Sequence, residues 1–125
     1  LATISNTNLE DFGDLAGANL TITHVSLIFN YGQGNELLAV TGALTTPRSF
    51  VQGDPLEFPV GSFVGTFPNG AFGAAFLKAV LDALIAARGA PTVLLGTAAM
   101  GSDGKQNEVS DSGYSRQTME LTTAE

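Results

Sequence analysis

The segment Ala71–Arg88, AFGAAFLKAVLDALIAAR, constrains the chain more than any other, because it reads as a helix with one broad apolar side. Phe72, Phe76, Leu77, Val80, Leu81, Leu84 and Ile85 recur at three- and four-residue steps, which gathers them on one side of a helix. Lys78 and Asp82 fall together on the other side, four residues apart. Asn69 is placed to cap the start with its side-chain oxygen and Gly89 to end the helix in the left-handed conformation, and Pro91 forbids continuation. An apolar stripe of that width needs a partner, either a sheet of the same chain or the same surface on another copy. Phe72, Phe76, Leu77, Val80, Leu81 and Leu84 are therefore the candidate core or self-association face.

Strand signals fill the remainder. Leu1–Ser5 reads as a short strand running into the polar turn Asn6-Thr7-Asn8, and Leu9–Gly17, with Glu10, Asp11 and Asp14, reads as a loop or irregular edge. Leu20–Phe29 alternates and is rich in β-branched residues, and its two faces are both largely apolar, which predicts a central strand covered on both sides. Asn30–Asn35 reads as a turn whose glycines supply positive φ. Leu37–Thr45 returns as the second arm of a hairpin, and Arg48–Gln52 reads as a separate strand bracketed by Pro47 and Gly53-Asp54-Pro55. Leu56–Val60, Ser62–Phe67, Thr92–Ala98 and Tyr114–Thr122 complete the set, with Ala99–Ser112 a long polar loop. The expected fold is mainly β, a single domain over residues 1–125: an antiparallel sandwich or open barrel of about seven strands, with the helix at about 71–88 packed against it.

Charge and composition narrow the function classes. The net charge of −7 lacks the basic stripe that phosphate backbones require, and the five cations, Arg48, Lys78, Arg88, Lys105 and Arg116, are scattered. Neither nucleic acid nor an anionic membrane is an expected partner. With no cysteine, thiolate chemistry and disulfides are excluded. No apolar run is long enough to span a bilayer and no stretch reads as a signal peptide. The first residue is Leu1 rather than Met, which leads us to expect a trimmed or rearranged start.

Catalytic constellations are missing at the level of sequence. His24, the one histidine, lies mid-strand, and no Gly-x-Ser-x-Gly elbow accompanies it, so a packed or interface histidine is expected rather than a hydrolase relay. The acidic clusters Glu10, Asp11, Asp14 and Asp103, Glu108, Asp111 lack the spacing of a calcium loop and read as solvated loop charge. Asp54 belongs to a turn rather than to a carboxylate pair with Glu57. Gly101–Lys105 lacks the strand–loop–helix context of a phosphate cradle, and Asn19-Leu20-Thr21 is a bare glycosylation sequon. The expectation is a non-enzyme with no cofactor and no bound metal.

Taken in pieces, nearly the whole chain resembles a family of small tailed-bacteriophage virion proteins, described as tail-fibre-like or minor tail proteins. The pieces are Ile22-Thr23-His24-Val25, Gly34–Ala39, Gly42–Arg48, Gly53–Gly61, Ala83–Ile85 with Gly89–Gly96, Asn107–Ser110 and Ser112–Gln117. In that family the helix comes first. Here the halves are exchanged and joined through Pro68-Asn69-Gly70, the order of a circular permutant, and the absent Met points to an engineered one. Permutation requires Leu1 and Glu125 to be neighbours, and Phe67 to reach Ala71 through three residues. The resemblance implies a virion location, with the chain itself, as a trimer, and other virion proteins as partners. The alternative is a module that binds host-surface glycans through two presented loops, carrying Tyr31, Gln33 and Asn35 in one and Asp103, Lys105 and Glu108 in the other.

Overall fold

The computed structural model describes residues 1–125. In chain order its elements are β1 (Ala2–Asn6), β2 (Glu10–Asp14), β3 (Leu20–Phe29), β4 (Leu37–Phe50), β5 (Pro55–Phe58), β6 (Val64–Phe67), α1 (Ala74–Arg88), β7 (Thr92–Gly96), β8 (Gln117–Thr118) and β9 (Leu121–Ala124). Three antiparallel sheets result: β6-β1-β9, β2-β5 and β4-β3-β7-β8. The fold is mainly β with a single helix, in a sandwich-like arrangement, as the alternation of the sequence predicts.

β3 has the predicted bounds and the predicted central place, between β4 and β7. From Val25 to Phe29 every residue is buried, so both faces are covered. The buried hydroxyl of Ser26 donates to Thr41 Oγ1 at 2.9 Å, which satisfies the one polar side chain in that run. The two strands expected on either side of Pro47 are one. His24 faces Ala43 and Ile22 faces Arg48, so two steps along β3 are matched by five along β4. The surplus residues form a wide bulge, and Pro47, with no N–H to give to the ladder, falls inside it.

The segment expected as a loop, Leu9–Gly17, contains β2, and β2 carries the centre of the core. Phe12 is completely buried and meets Phe58 edge-on at 5.7 Å and Phe63 at 6.3 Å, while Phe58 and Phe63 stack at 4.6 Å. Ile22, Val25 and Leu27 of β3, Val93 and Leu95 of β7, Leu56 of β5 and Ile4 of β1 belong to the same cluster, so all three sheets share one interior. Glycine holds β2 in place. A Cβ on Gly113 would lie 1.7 Å from the Asp14 carbonyl oxygen, and one on Gly13, whose φ is 100°, would lie 1.9 Å from the Gly113 oxygen. In this close approach the Ser115 N–H donates to the Phe12 carbonyl at 2.8 Å. The Asp111 carboxylate accepts from the N–H groups of Ala16, Gly17 and Gly113 at 2.8–2.9 Å, and these bonds hold its carboxyl below the ordinary range.

The helix departs from expectation in several respects. It starts at Ala74, with Gly73 at the cap position and no side-chain cap; Asn69 instead accepts the Phe72 N–H through its backbone carbonyl at 2.8 Å. Its C-terminus falls at the predicted Gly89, whose N–H is bonded to the Ile85 carbonyl, but with φ 77° and ψ −164° the glycine lies outside the expected left-handed helical conformation. It rests against β1 and β9, yet none of its residues is buried. Leu81 reaches the core, and Leu77, Leu84 and Ile85 are half-covered, but Phe72, Phe76 and Val80 remain 56%, 55% and 48% exposed. The supposedly outward Asp82 accepts a hydrogen bond from Thr123 of β9. The helix is thus rolled about its axis relative to the simplest reading, and its two phenylalanines lie away from the sheet.

The last expected strand, Tyr114–Thr122, is broken into β8, which borders β7, and β9, which borders β1. Thr3 faces Ala124, so the two ends of the chain lie on neighbouring strands. Replacing Gly113 by alanine forces backbone apart at the β2 contact. We expect Gly113→Ala to lower the unfolding free energy by about 3 kcal/mol in urea titration, against less than about 0.5 kcal/mol for Gly34→Ala on the open turn.

Candidate interaction surfaces

Two surfaces collect the residues singled out by sequence. The first is the outer face of α1. Phe72, in the turn before the helix, stacks on Phe76 with ring centroids 5.3 Å apart and an interplanar angle of 19°, and Val80 continues the patch one turn further on. Leu77, Leu81 and Leu84 are separated from it, being turned toward β1 and β9. The predicted six-residue face therefore divides into an inner half that seats the helix and an outer half open to solvent. Lys78 and Asp82 bridge at 2.8 Å beside it, and this contact, with Thr123, lowers the Asp82 carboxyl.

The second surface is formed where the two predicted loops meet. Lys105 Nζ lies 5.1 Å from the Tyr31 ring centroid and Arg116 Cζ 4.8 Å from it. Glu36 pairs with Lys105 at 2.6 Å, and the lysine contact, helped by the Gly32 N–H, holds the Glu36 carboxyl down. Glu108 grips Arg116 in a two-bond fork at 2.7 and 2.8 Å and accepts from the Tyr114 hydroxyl at 2.8 Å. That hydroxyl accepts the Leu95 N–H at 3.1 Å, and burial pushes the phenol well above its usual range. Asn35 gives its carbonyl to Arg88, which also donates to Asn30 Oδ1, tying the end of α1 to the hairpin turn. Asp103 accepts the Lys105 N–H, and Gln33 stays exposed. Tyr31, Lys105 and Glu108 are brought together; Gln33 and Asp103 remain outside the charged network. Arg116 is the member that sequence missed, because its partners Tyr31 and Glu108 share no local spacing with it.

The remaining sequence candidates are dispersed. His24 has the Thr23 hydroxyl as its hydrogen-bond partner at 2.7 Å. Asp11 accepts the Gly13 N–H, Asp54 the Val51 N–H, and Asp111 the three bonds already described, so these carboxylates staple turns. No three of the chain's acids and its histidine converge as a metal site. Comparison with protein-family models, with curated proteins and with solved structures found no match.

Glu10 differs from the other acids in being buried, opposite Phe58 on β5, and its burial, reinforced by the charge of Glu120, raises its carboxyl. The folded state therefore holds this proton more tightly than the unfolded chain does. Its contribution favours folding at low pH and is lost as pH rises from the unfolded value through the folded one. Glu10→Gln removes that loss. The variant is expected to melt above the wild type at pH 7, with the difference shrinking toward pH 4, as read by thermal denaturation at both pH values.

Proposed function

We propose that this chain is a non-catalytic structural module of a bacteriophage virion, tail-fibre-like in kind, which assembles with copies of itself and with other virion proteins. The observation that carries the reading is the stacked Phe72–Phe76 pair with Val80, about half exposed on a helix already seated by its other side. Contiguous apolar surface of this sort marks association sites on soluble proteins. The family resemblance supplies the virion context and the trimer. The exchanged order of its halves is supported by Thr3 facing Ala124, and by a turn through Asn69, Gly70 and Phe72 that carries the chain from β6 to α1.

The meeting of the two loops at Tyr31 favours a second reading, a glycan-binding module. Against it, the Tyr31 ring already carries two cations, each paired with a carboxylate, which leaves little free aromatic platform for a sugar.

Light scattering coupled to size exclusion tests the first reading. The 12.9 kDa chain is expected to elute at about three times its mass, and Phe76→Lys to elute as a single chain with an unchanged circular dichroism spectrum. A wild type that stays at single-chain mass at every concentration overturns self-association. A glycan that raises the melting temperature of the wild type but not of Tyr31→Ala supports the second reading instead.

A further inference from the structure

The interior between the β6-β1-β9 sheet and the β3-β4 ladder is not filled. A cavity of about 440 Å³ opens there, within the range of about 300–1,000 Å³ typical of small-molecule sites. Its inner wall is made by buried Ile4, Val25, Leu27, Phe58, Phe63 and Met119. Residues of β4 and β6, each the outer strand of its sheet, complete the lining. Backbone choice creates the space. Gly42 faces Val25 across the ladder, so a side chain there would project on the same side as Val25, and a Cβ built on it meets nothing within 4 Å.

One charge lines this apolar space. Arg48 lies with its guanidinium carbon 4.8 Å from the Phe58 ring centroid and 5.5 Å from that of Phe50, and its Nη1 donates to the Glu57 carbonyl at 2.9 Å. The chain has twelve acids to five cations, and Lys78, Lys105 and Arg116 each hold a carboxylate. Arg88 is bonded to Asn30 and Asn35. Arg48, half-buried in an acidic protein, has no carboxylate partner. A guanidinium fixed by two rings and one carbonyl keeps further N–H donors for a planar anion.

We propose that this cavity is a binding site for a single-chain amphiphile with a carboxylate head, such as a fatty acid, its chain between the sheets and its head on Arg48. Apolar walls take the chain through burial of methylenes, and the unpaired arginine selects the sign and shape of the head. Thr45 and Thr46 are also among the lining residues. This site is separate from the outer helix face, and its success or failure leaves the oligomeric state undecided and unaffected.

Isothermal titration of the full chain with dodecanoate and dodecyltrimethylammonium below their micellar concentrations, and with dodecanol below its solubility limit, tests the assignment without any variant. Saturable one-to-one binding of dodecanoate is expected, at least tenfold tighter than dodecanol, with the ammonium weakest. Shortening the acid should weaken it by about fourfold per methylene removed. Arg48→Gln should bring dodecanoate down to the level of dodecanol, and Gly42→Leu, which places a side chain into the space beside Val25, should weaken binding of both at least tenfold. Equal affinity for the three head groups, or binding unchanged by Gly42→Leu, overturns the proposal in favour of surface adsorption. Displacement of dodecanoate by an uncharged strand-forming peptide, with Arg48→Gln having no effect, overturns it in favour of strand addition at the β4 and β6 edges.

Discussion

The packing of Phe12 against Phe58 and Phe63 is the interaction on which the rest of the structure depends. These rings come from β2, from β5 and from the segment before β6, so their contact fastens the two-stranded sheet to the β6 side, while Phe50 of β4, 6.1 Å from Phe58, brings the four-stranded sheet into the common interior. Tyr114 stacks on Phe12 from the far side at 6.3 Å, and its hydroxyl fixes Leu95 and Glu108. One aromatic cluster thus reaches from the core to the charged loops. The glycine-to-glycine approach of β2 and the 111–114 segment is what lets the rings come this close.

Segments without any catalytic motif have physical roles in this fold. In Ser112–Gln117, Gly113 gives the close approach, Tyr114 enters the core and Arg116 closes the fork to Glu108. In Gly42–Arg48, the bulge turns the strand and brings Arg48 over Phe58. Each of these roles fixes a shape. The β-rich body exposes one apolar helical face, Phe72, Phe76 and Val80.

Much of the fold was legible in the sequence, for reasons that particular residues make plain. β3 is legible because its alternation is long and uninterrupted by charge, and the end of α1 because Gly89 and Pro91 act locally. β2 was not, since Glu10, Asp11, Gly13 and Asp14 hide the single buried Phe12 among turn-forming residues. Continuity through Pro47 was hidden because proline ordinarily ends a strand, and only the pairing with β3 shows that a bulge absorbs it. The direction in which α1 faces is not legible, because a stripe wide enough to be half-buried looks the same as one that is wholly buried. Periodicity reports which residues share a side, and not how far that side is covered. The convergence of Lys105 and Arg116 on Tyr31, and of Gly42 and Arg48 on the inter-sheet cavity, depends on contacts between distant segments and has no local signature.

The account therefore places cohesion in the aromatic interior of the sheets and leaves the outer helical phenylalanine free. Urea unfolding of Phe12→Ala and Phe76→Ala, at a protein concentration low enough to keep the chains apart, measures this most directly. The account predicts a loss of about 3–5 kcal/mol, or failure to fold, for Phe12→Ala, and a change within about 0.5 kcal/mol for Phe76→Ala. A larger loss at Phe76 than at Phe12 would contradict it.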